Sequence, residues 1–185
     1  MGIGFAIPVD MVRSVIDGAL GEGRIERPWL GVSGQAVTSE IAKSLDLPRP
    51  LGVLVNNIHS GGPGDEAGLS VGDVILEIDG REVSDPEGMK FRIATRRVGE
   101  TANLRMLRAG REHSLTVALK VPPEDPPRDK TLLEGAHPLR GVTVGNLSPA
   151  LADELGMPFS ATGVVVIAPA PQRSRISFAV KDVIL

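Results

Sequence analysis

Part of this chain occurs twice, and that repeat limits its possible folds more than any other feature. The segment WLGVSGQAVTSEIAKSLDLP at 29–48 aligns without gaps with LRGVTVGNLSPALADELGMP at 139–158, at a constant offset of 110 residues. Gly31 and Gly141, Val32 and Val142, Val37 and Leu147, Ile41 and Leu151, Ala42 and Ala152, Leu45 and Leu155, and Pro48 and Pro158 share their character. Gly52-Val53-Leu54-Val55 then matches Gly163-Val164-Val165-Val166 at an offset of 111, and Asp73-Val74-Ile75-Leu76 matches Asp182-Val183-Ile184-Leu185 at 109. A period near 110 is too long for a solenoid unit and is the size of a tandem domain. The second copy stops at the counterpart of Leu76, so nothing matches the 43 residues 77–119.

Composition narrows the function classes. The 22 Gly and 15 Pro predict many short elements joined by turns. Aromatics are 3% with no Tyr, and the net charge is −3, which supplies neither a base-stacking platform nor a basic face for nucleic acid. No Cys means no disulfide, thiolate metal site or thiol nucleophile. No apolar run reaches the roughly 18 residues of a membrane span. Met1 leads directly into GIGFAIPVDMV, with no basic residue before Arg13. That is unlike a secretory leader, and the expectation is a piece of a longer protein.

Along the chain, residues 2–8 read as the end of a buried strand, and 9–20 as a helix with Val9, Val12, Val15, Ile16, Ala19 and Leu20 at helical spacing. Residues 29–120 carry the strand signals. WLGVSGQAV, GVLVNNI and VILEIDG are strands, and SEIAKSLDL and Asp65–Leu69 are short helical pieces. Asp79-Gly80 marks a tight turn. Residues 85–97 form a helix with Asp85 as N-cap and Pro86 at its first position. NLRMLRAGREHSLTVAL is a hairpin around Ala109-Gly110. Residues 121–137, with four prolines, read as an extended, semi-rigid linker. Residues 138–185 are the second copy.

The order and spacing of RPWLGV, the AGLSVGDVILEIDGREV segment and the repeat together resemble the PDZ domain as arranged in HtrA/Deg-type serine proteases. GIGFAIPVDMVRSVI is similar to the end of the trypsin-like protease domain and its exit helix, so residues 1–28 are assigned there. The resemblance implies an α+β fold: a partly open β-barrel or sandwich capped by two short helices, followed by a second, incomplete copy. It also implies a site. The terminal carboxylate of a peptide would meet the loop Trp29-Leu30-Gly31-Val32, and the peptide would pair with the strand that continues through Ser33 and Gly34. The helix 85–97 would form the opposite wall, with Met89 and Ile93 as pocket floor and Arg92 and Arg96 beside them. The implied partners are unfolded proteins or peptides with a free apolar C-terminus, with a homo-oligomer possible through the parent protease. The implied compartment is the periplasm, and no cofactor is implied. The second reading is a module that serves oligomerisation or regulation without capturing substrate. In the second copy, Arg140 stands at the place of Leu30 and Lys181 at that of Gly72, which argues against an equivalent second site.

A hydrolase reading is unsupported by the residues. Ser60-Gly61-Gly62-Pro63 with adjacent His59 mimics a protease nucleophile segment. A triad, however, needs its histidine and carboxylate brought to the serine from elsewhere in the fold. His59, His113 and His137 show no metal-ligand spacing, and GIGFA lacks the helix start of a phosphate cradle. The fragment is therefore expected to have no catalytic residues of its own, with the full-length parent a serine endopeptidase.

Overall fold

The computed structural model describes residues 26–170 and 178–184. The strand at 2–8 and the helix at 9–20 lie outside the described residues. The chain divides into two compact units between Val121 and Pro122.

The first unit runs β1 (Val32–Ala36), α1 (Ser39–Ser44), β2 (Val53–Ile58), α2 (Pro63–Glu66), β3 (Val74–Ile78), β4 (Arg81–Glu82), α3 (Pro86–Ala94), β5 (Thr101–Arg108) and β6 (Arg111–Ala118). The strands form one antiparallel sheet in the order β1-β2-β3-β5-β6, with β4 paired to β3. The turn signals were accurate. Asp79 and Gly80 take φ of 51° and 71°, and Ala109 and Gly110 take 48° and 74°, the double positive φ of two-residue hairpins. Asp85 caps α3 through Gly88 N–H at 2.7 Å, with Pro86 at the first position. The helix ends at Ala94, three residues earlier than expected, where Thr95 takes the cap.

The partly open sheet expected for this fold is formed, and it does not close into a barrel. Between the two edge strands a single bridge, Trp29 N–H to the Lys120 carbonyl at 2.8 Å, takes the place of a ladder, and the sheet stays open. Helices cover its faces instead. Met89 and Ile93 of α3 pack with Leu30, Val32, Val53, Val55, Ile75 and Leu104. Ala42 of α1 packs with Val37, Val74, Leu76 and Leu107 on the other face. Adjacent β3 residues thus serve opposite cores, as strand alternation requires.

The second unit contains β7 (Thr131–Leu132), β8 (Thr143–Asn146), α4 (Pro149–Leu155), β9 (Val164–Ala168) and β10 (Val183–Ile184), in the order β10-β9-β8-β7. The repeat holds at the level of single hydrogen bonds. Ser33 opposes Asn57 and Gly34 opposes Val55, with one β2 residue left over; Thr143 opposes Ala168 and Val144 opposes Val166 with the same extra residue. Thr38 and Ser148 cap α1 and α4 through the N–H of Ile41 and Leu151. The Asp73 and Asp182 carbonyls accept from Val55 and Val166 at 2.8 and 2.9 Å. Gly72 has φ 96°, and Lys181 in its place is held at 82°.

One expectation needs correction. Residues 122–137 group with the second unit, and within them Thr131 and Leu132 form β7 against β8. Prolines set extended backbone there, and extended backbone can pair. Among the described residues, β9 is flanked by β8 and β10, and its Val165 and Val166 are fully buried against Leu147, Leu151 and Ala152 on one face and Val142 and Val144 on the other.

Asp73 is a buried charge in the first unit. Its carboxylate accepts from Arg108 Nε and Nη2 at 2.7 Å each and from Ser70 N–H at 2.7 Å. Burial alone would raise its pKa, but the bonds from Arg108 and Ser70, with the Arg108 charge, outweigh it and hold the carboxyl below its ordinary value. A depressed carboxyl stabilises the fold above its unfolded pKa of about 3.9, and that stabilisation is lost as pH falls through the folded value. Asp73→Asn is expected to lower the unfolding free energy by about 1–3 kcal/mol at pH 7. In urea titrations its curve should approach the wild-type curve as pH falls through the folded pKa of Asp73; a gap equally wide in acid would refute the pairing as the cause.

Candidate functional site

The loop before β1 is shaped by three fixed points. Trp29 N–H is tied to Lys120, the Leu30 carbonyl accepts from Gly64 N–H at 2.8 Å, and the Gly31 carbonyl accepts from His59 N–H at 2.8 Å. A planar trans peptide places its N–H opposite its carbonyl. With the Leu30 and Gly31 carbonyls turned into the fold, the N–H groups of Gly31 and Val32 point the other way. Gly31 turns the chain at φ 74°. A Cβ there would meet Pro63 Cδ and the Trp29 ring, both at 3.3 Å. Glycine is thus demanded by both conformation and space, and two consecutive N–H donors form a nest that suits an anion.

β1 continues this pattern. Its described neighbour is β2 alone. The bonds His59 N–H to the Gly31 carbonyl and Val37 N–H to the Gly52 carbonyl set the ladder's alternation. Residues 31, 33, 35 and 37 bond inward. Val32, Gly34 and Ala36 turn their N–H and C=O groups to the open side. Gly34 lies so close to β2 that a Cβ would stand 2.4 Å from the Leu54 carbonyl oxygen. Below the edge lies an apolar floor of Leu30, Val32, Met89 and Ile93, each under 8% exposed.

The expected site residues divide into two groups. Trp29, Leu30, Gly31, Val32, Ser33 and Gly34 form one continuous edge, and Met89 and Ile93 join the core beneath it as a closed floor. Arg92 and Arg96 face elsewhere. Arg92 Nη2 donates to the Glu82 carbonyl at 2.8 Å, and Arg96 pairs with the Asp79 carboxylate. Both line a cavity of about 460 Å³ beside Ile78, Arg81 and Thr95, at the β3–β4 turn. The reason is helical geometry: at 100° per residue, Arg92 sits on one flank of the Met89–Ile93 stripe, and Arg96 follows just past the helix end. Pro86 and Lys90 sit on the other flank, away from that turn. The sequence reading also missed Gly64 in α2. A Cβ there would meet Val32 Cγ1 at 2.7 Å and the Leu30 carbonyl at 3.0 Å, so a bare backbone is what lets α2 hold the loop carbonyl.

The His59 ring stands edge-to-face with Trp29 at 5.2 Å, and the 59–62 turn closes through Gly62 N–H to the His59 carbonyl. The His59 ring thus packs on the loop at Trp29. Among the described residues, no cluster of three or more His, Cys, Asp or Glu could hold a metal ion, and no helix is long and apolar enough to cross a membrane.

Comparison with known proteins agrees with this geometry. The PDZ domain family matches residues 28–119. A probable periplasmic serine endoprotease DegP-like of Rhizobium meliloti is 38% identical over 125 residues, covering 68% of this chain and 25% of that protein. The protein of the same name from Chlamydia trachomatis is 33% identical over 171 residues, covering 91% of this chain and 33% of the relative. The chain thus spans a quarter to a third of the length of these relatives. Among solved structures, the HtrA-type protease AlgW with decapeptide is similar at 37% identity and a TM-score of 0.53, covering 66% of this chain and 38% of that one. The same protease with tripeptide matches with the same identity and score, covering 41% of its chain. Fold, loop and relatives converge on one assignment: residues 28–119 are a PDZ domain, and the chain is a homologue of the DegP/HtrA-type serine endoproteases.

Proposed function

We propose that the first unit captures free, apolar C-termini and extended segments of unfolded proteins by adding them as a strand to β1, as the recognition part of a periplasmic HtrA-type serine endoprotease. The observation that carries this reading is the open edge of β1 headed by the Gly31 turn. A peptide laid antiparallel along it pairs with Val32, Gly34 and Ala36 whatever its sequence. Its terminal carboxylate meets the outward N–H groups of Gly31 and Val32, and its last side chain rests on the Leu30–Val32–Met89–Ile93 floor. Each added backbone bond contributes about 0.5–1.5 kcal/mol, and more where a carboxylate is the acceptor. Relatives named as endoproteases and an HtrA-type protease solved with peptides support the same reading.

The first test compares a peptide ending in a free apolar residue with its C-terminal amide, by fluorescence anisotropy. The acid is expected to bind at least about tenfold more tightly, since one charge-assisted contact is worth about 1.5–3 kcal/mol. Equal affinities would exclude the carboxylate loop and favour a role in oligomer contacts. The second test uses substitutions. Gly34→Ala should push β1 off β2, weakening peptide binding and lowering stability by about 1–3 kcal/mol. Arg92→Ala and Arg96→Ala should leave affinity within about twofold, or less than 0.5 kcal/mol, because both guanidinium groups are committed to the β3–β4 turn. A large loss of affinity in either arginine variant would show that the ligand reaches the other flank of α3.

A further inference from the structure

We propose that residues 127–133 are a built-in ligand that closes a second strand-accepting edge, that of β8. The proposal rests on the reading of β1 as the accepting edge of the first unit. At the offset of 110, the outward-facing residues Val32, Gly34 and Ala36 correspond to Val142, Val144 and Asn146. All three are engaged by the chain's own segment. The Val142 carbonyl accepts from Leu133 N–H at 2.9 Å, Val144 opposes Thr131, and Asn146 N–H donates to the Arg128 carbonyl at 2.8 Å. Gly141, the counterpart of Gly31, has φ 83° and donates its N–H to the Leu133 carbonyl at 2.8 Å. Leu133 therefore stands where the last residue of a captured peptide would stand, its carbonyl oxygen in the place of a carboxylate oxygen.

The side chains follow the same logic. Leu133 packs against the Val142–Val144–Val166 cluster, while its neighbour Leu132 is 54% exposed. Five residues upstream, Arg128 clamps the segment. Its guanidinium meets both Glu154 oxygens of α4 at 2.7 and 2.8 Å, its Nε pairs with Glu124, and its side chain is only 10% exposed. Asn146 Nδ2 adds a bond to the Pro127 carbonyl at 3.0 Å. The site is also shaped for this close approach: a Cβ on Gly145 would stand 2.9 Å from the Arg128 carbonyl. The first copy has Gln35 at that position, so it cannot hold an identical segment. Only a short loop, 134–140, joins the segment to the edge it occupies. Such a tether sets an effective concentration in the millimolar range, against which a free peptide at micromolar levels does not compete.

The test uses the full chain and the peptide Pro-Arg-Asp-Lys-Thr-Leu-Leu with a free carboxylate, which copies residues 127–133. Titration calorimetry counts binding equivalents, and residue-resolved hydrogen exchange shows which edge is occupied. In the wild type, the Gly141 and Asn146 amides should exchange slowly without peptide, and binding should stop at one equivalent, reported by Gly31, Val32 and Gly34. Arg128→Ala combined with Leu133→Pro removes the clamp and the N–H that Val142 accepts. This variant should expose the Gly141 and Asn146 amides and take up a second equivalent that slows them again. Fast exchange of those amides in the wild type would overturn the proposal. So would a variant that keeps Val165 and Val166 protected yet gains no second equivalent. If the double variant loses that protection, Arg128→Ala alone decides: the peptide concentration that slows Gly141 and Asn146 further should fall at least about fivefold, and an unchanged value overturns the proposal. No equivalents in the wild type and one in the variant, at β8, would refute the reading of β1 and leave this one standing.

Discussion

The carboxylate of Asp73 takes both of its oxygens to Arg108 at the end of β5 and one of them also to Ser70 N–H, while its own backbone carbonyl accepts from Val55 in β2. One residue thus sets the start of β3 relative to the strands on either side of it. β2 in turn carries β1, since the His59 N–H just past β2 donates to the Gly31 carbonyl and the residue left over at Asn56 sets the stagger. The direction in which the loop N–H groups point is therefore inherited from a buried ion pair two strands away. A charge this deeply buried is costly unless every lone pair is used, and here each carboxylate oxygen has a charged donor. The charge is retained where an apolar residue would lack the directionality to hold three chain segments in register.

The two copies separate what the fold needs from what the site needs. Both keep the β-bulge, the hydroxyl cap, the positive φ before the accepting strand and the turn that closes on an aspartate. The turn persists even where Lys181 must adopt φ 82°, a conformation that costs a side chain about 1–2 kcal/mol. Its N–H reaches the Val166 carbonyl at 3.1 Å, as Gly72 reaches Val55, so the hydrogen-bond frame outweighs the local strain. The differences lie on the open strand edge and the loop before it: Arg140 for Leu30, and Gly145 for Gln35.

What was legible in the sequence is local or periodic. Asp79-Gly80 and Ala109-Gly110 announce tight turns because few residue pairs tolerate two positive φ values, and Asp85-Pro86 announces a helix start because the cap and the fixed φ act within one turn. The repeat was legible because strand order leaves apolar positions at fixed spacing. What Arg92 and Arg96 meet was not legible, because spacing identifies a helix face without saying which neighbour it meets; the acceptors at Asp79 and Glu82 come from a turn that only the tertiary fold brings alongside. How far the sheet closes was not legible for a related reason, since closure depends on whether Trp29 and Lys120 begin a ladder or meet once. β7 was hidden because Thr131 and Leu132 are short, exposed and preceded by prolines; what makes them a strand is the unmet edge of β8.

That unmet edge explains why the two copies treat the same geometry differently. An exposed strand edge is a template for unwanted pairing, and proteins shorten, bend or cover it. β1 is five residues long, bent by the bulge against Asn56 and turned sharply at Gly31, with α3 as a wall beyond it. On the proposed reading of β1, these features limit what can add to it to a single strand entering in one direction and ending at the loop. Among the described residues, β8 has no counterpart of α3 beside it. A four-residue edge without such a wall would accept strands far less selectively, and its own upstream segment covers it. On these two proposals the first edge is made selective by its surroundings and the second by prior occupation, and Leu133 on the Gly141 N–H shows in one chain how an extended backbone fits the turn that Gly31 repeats.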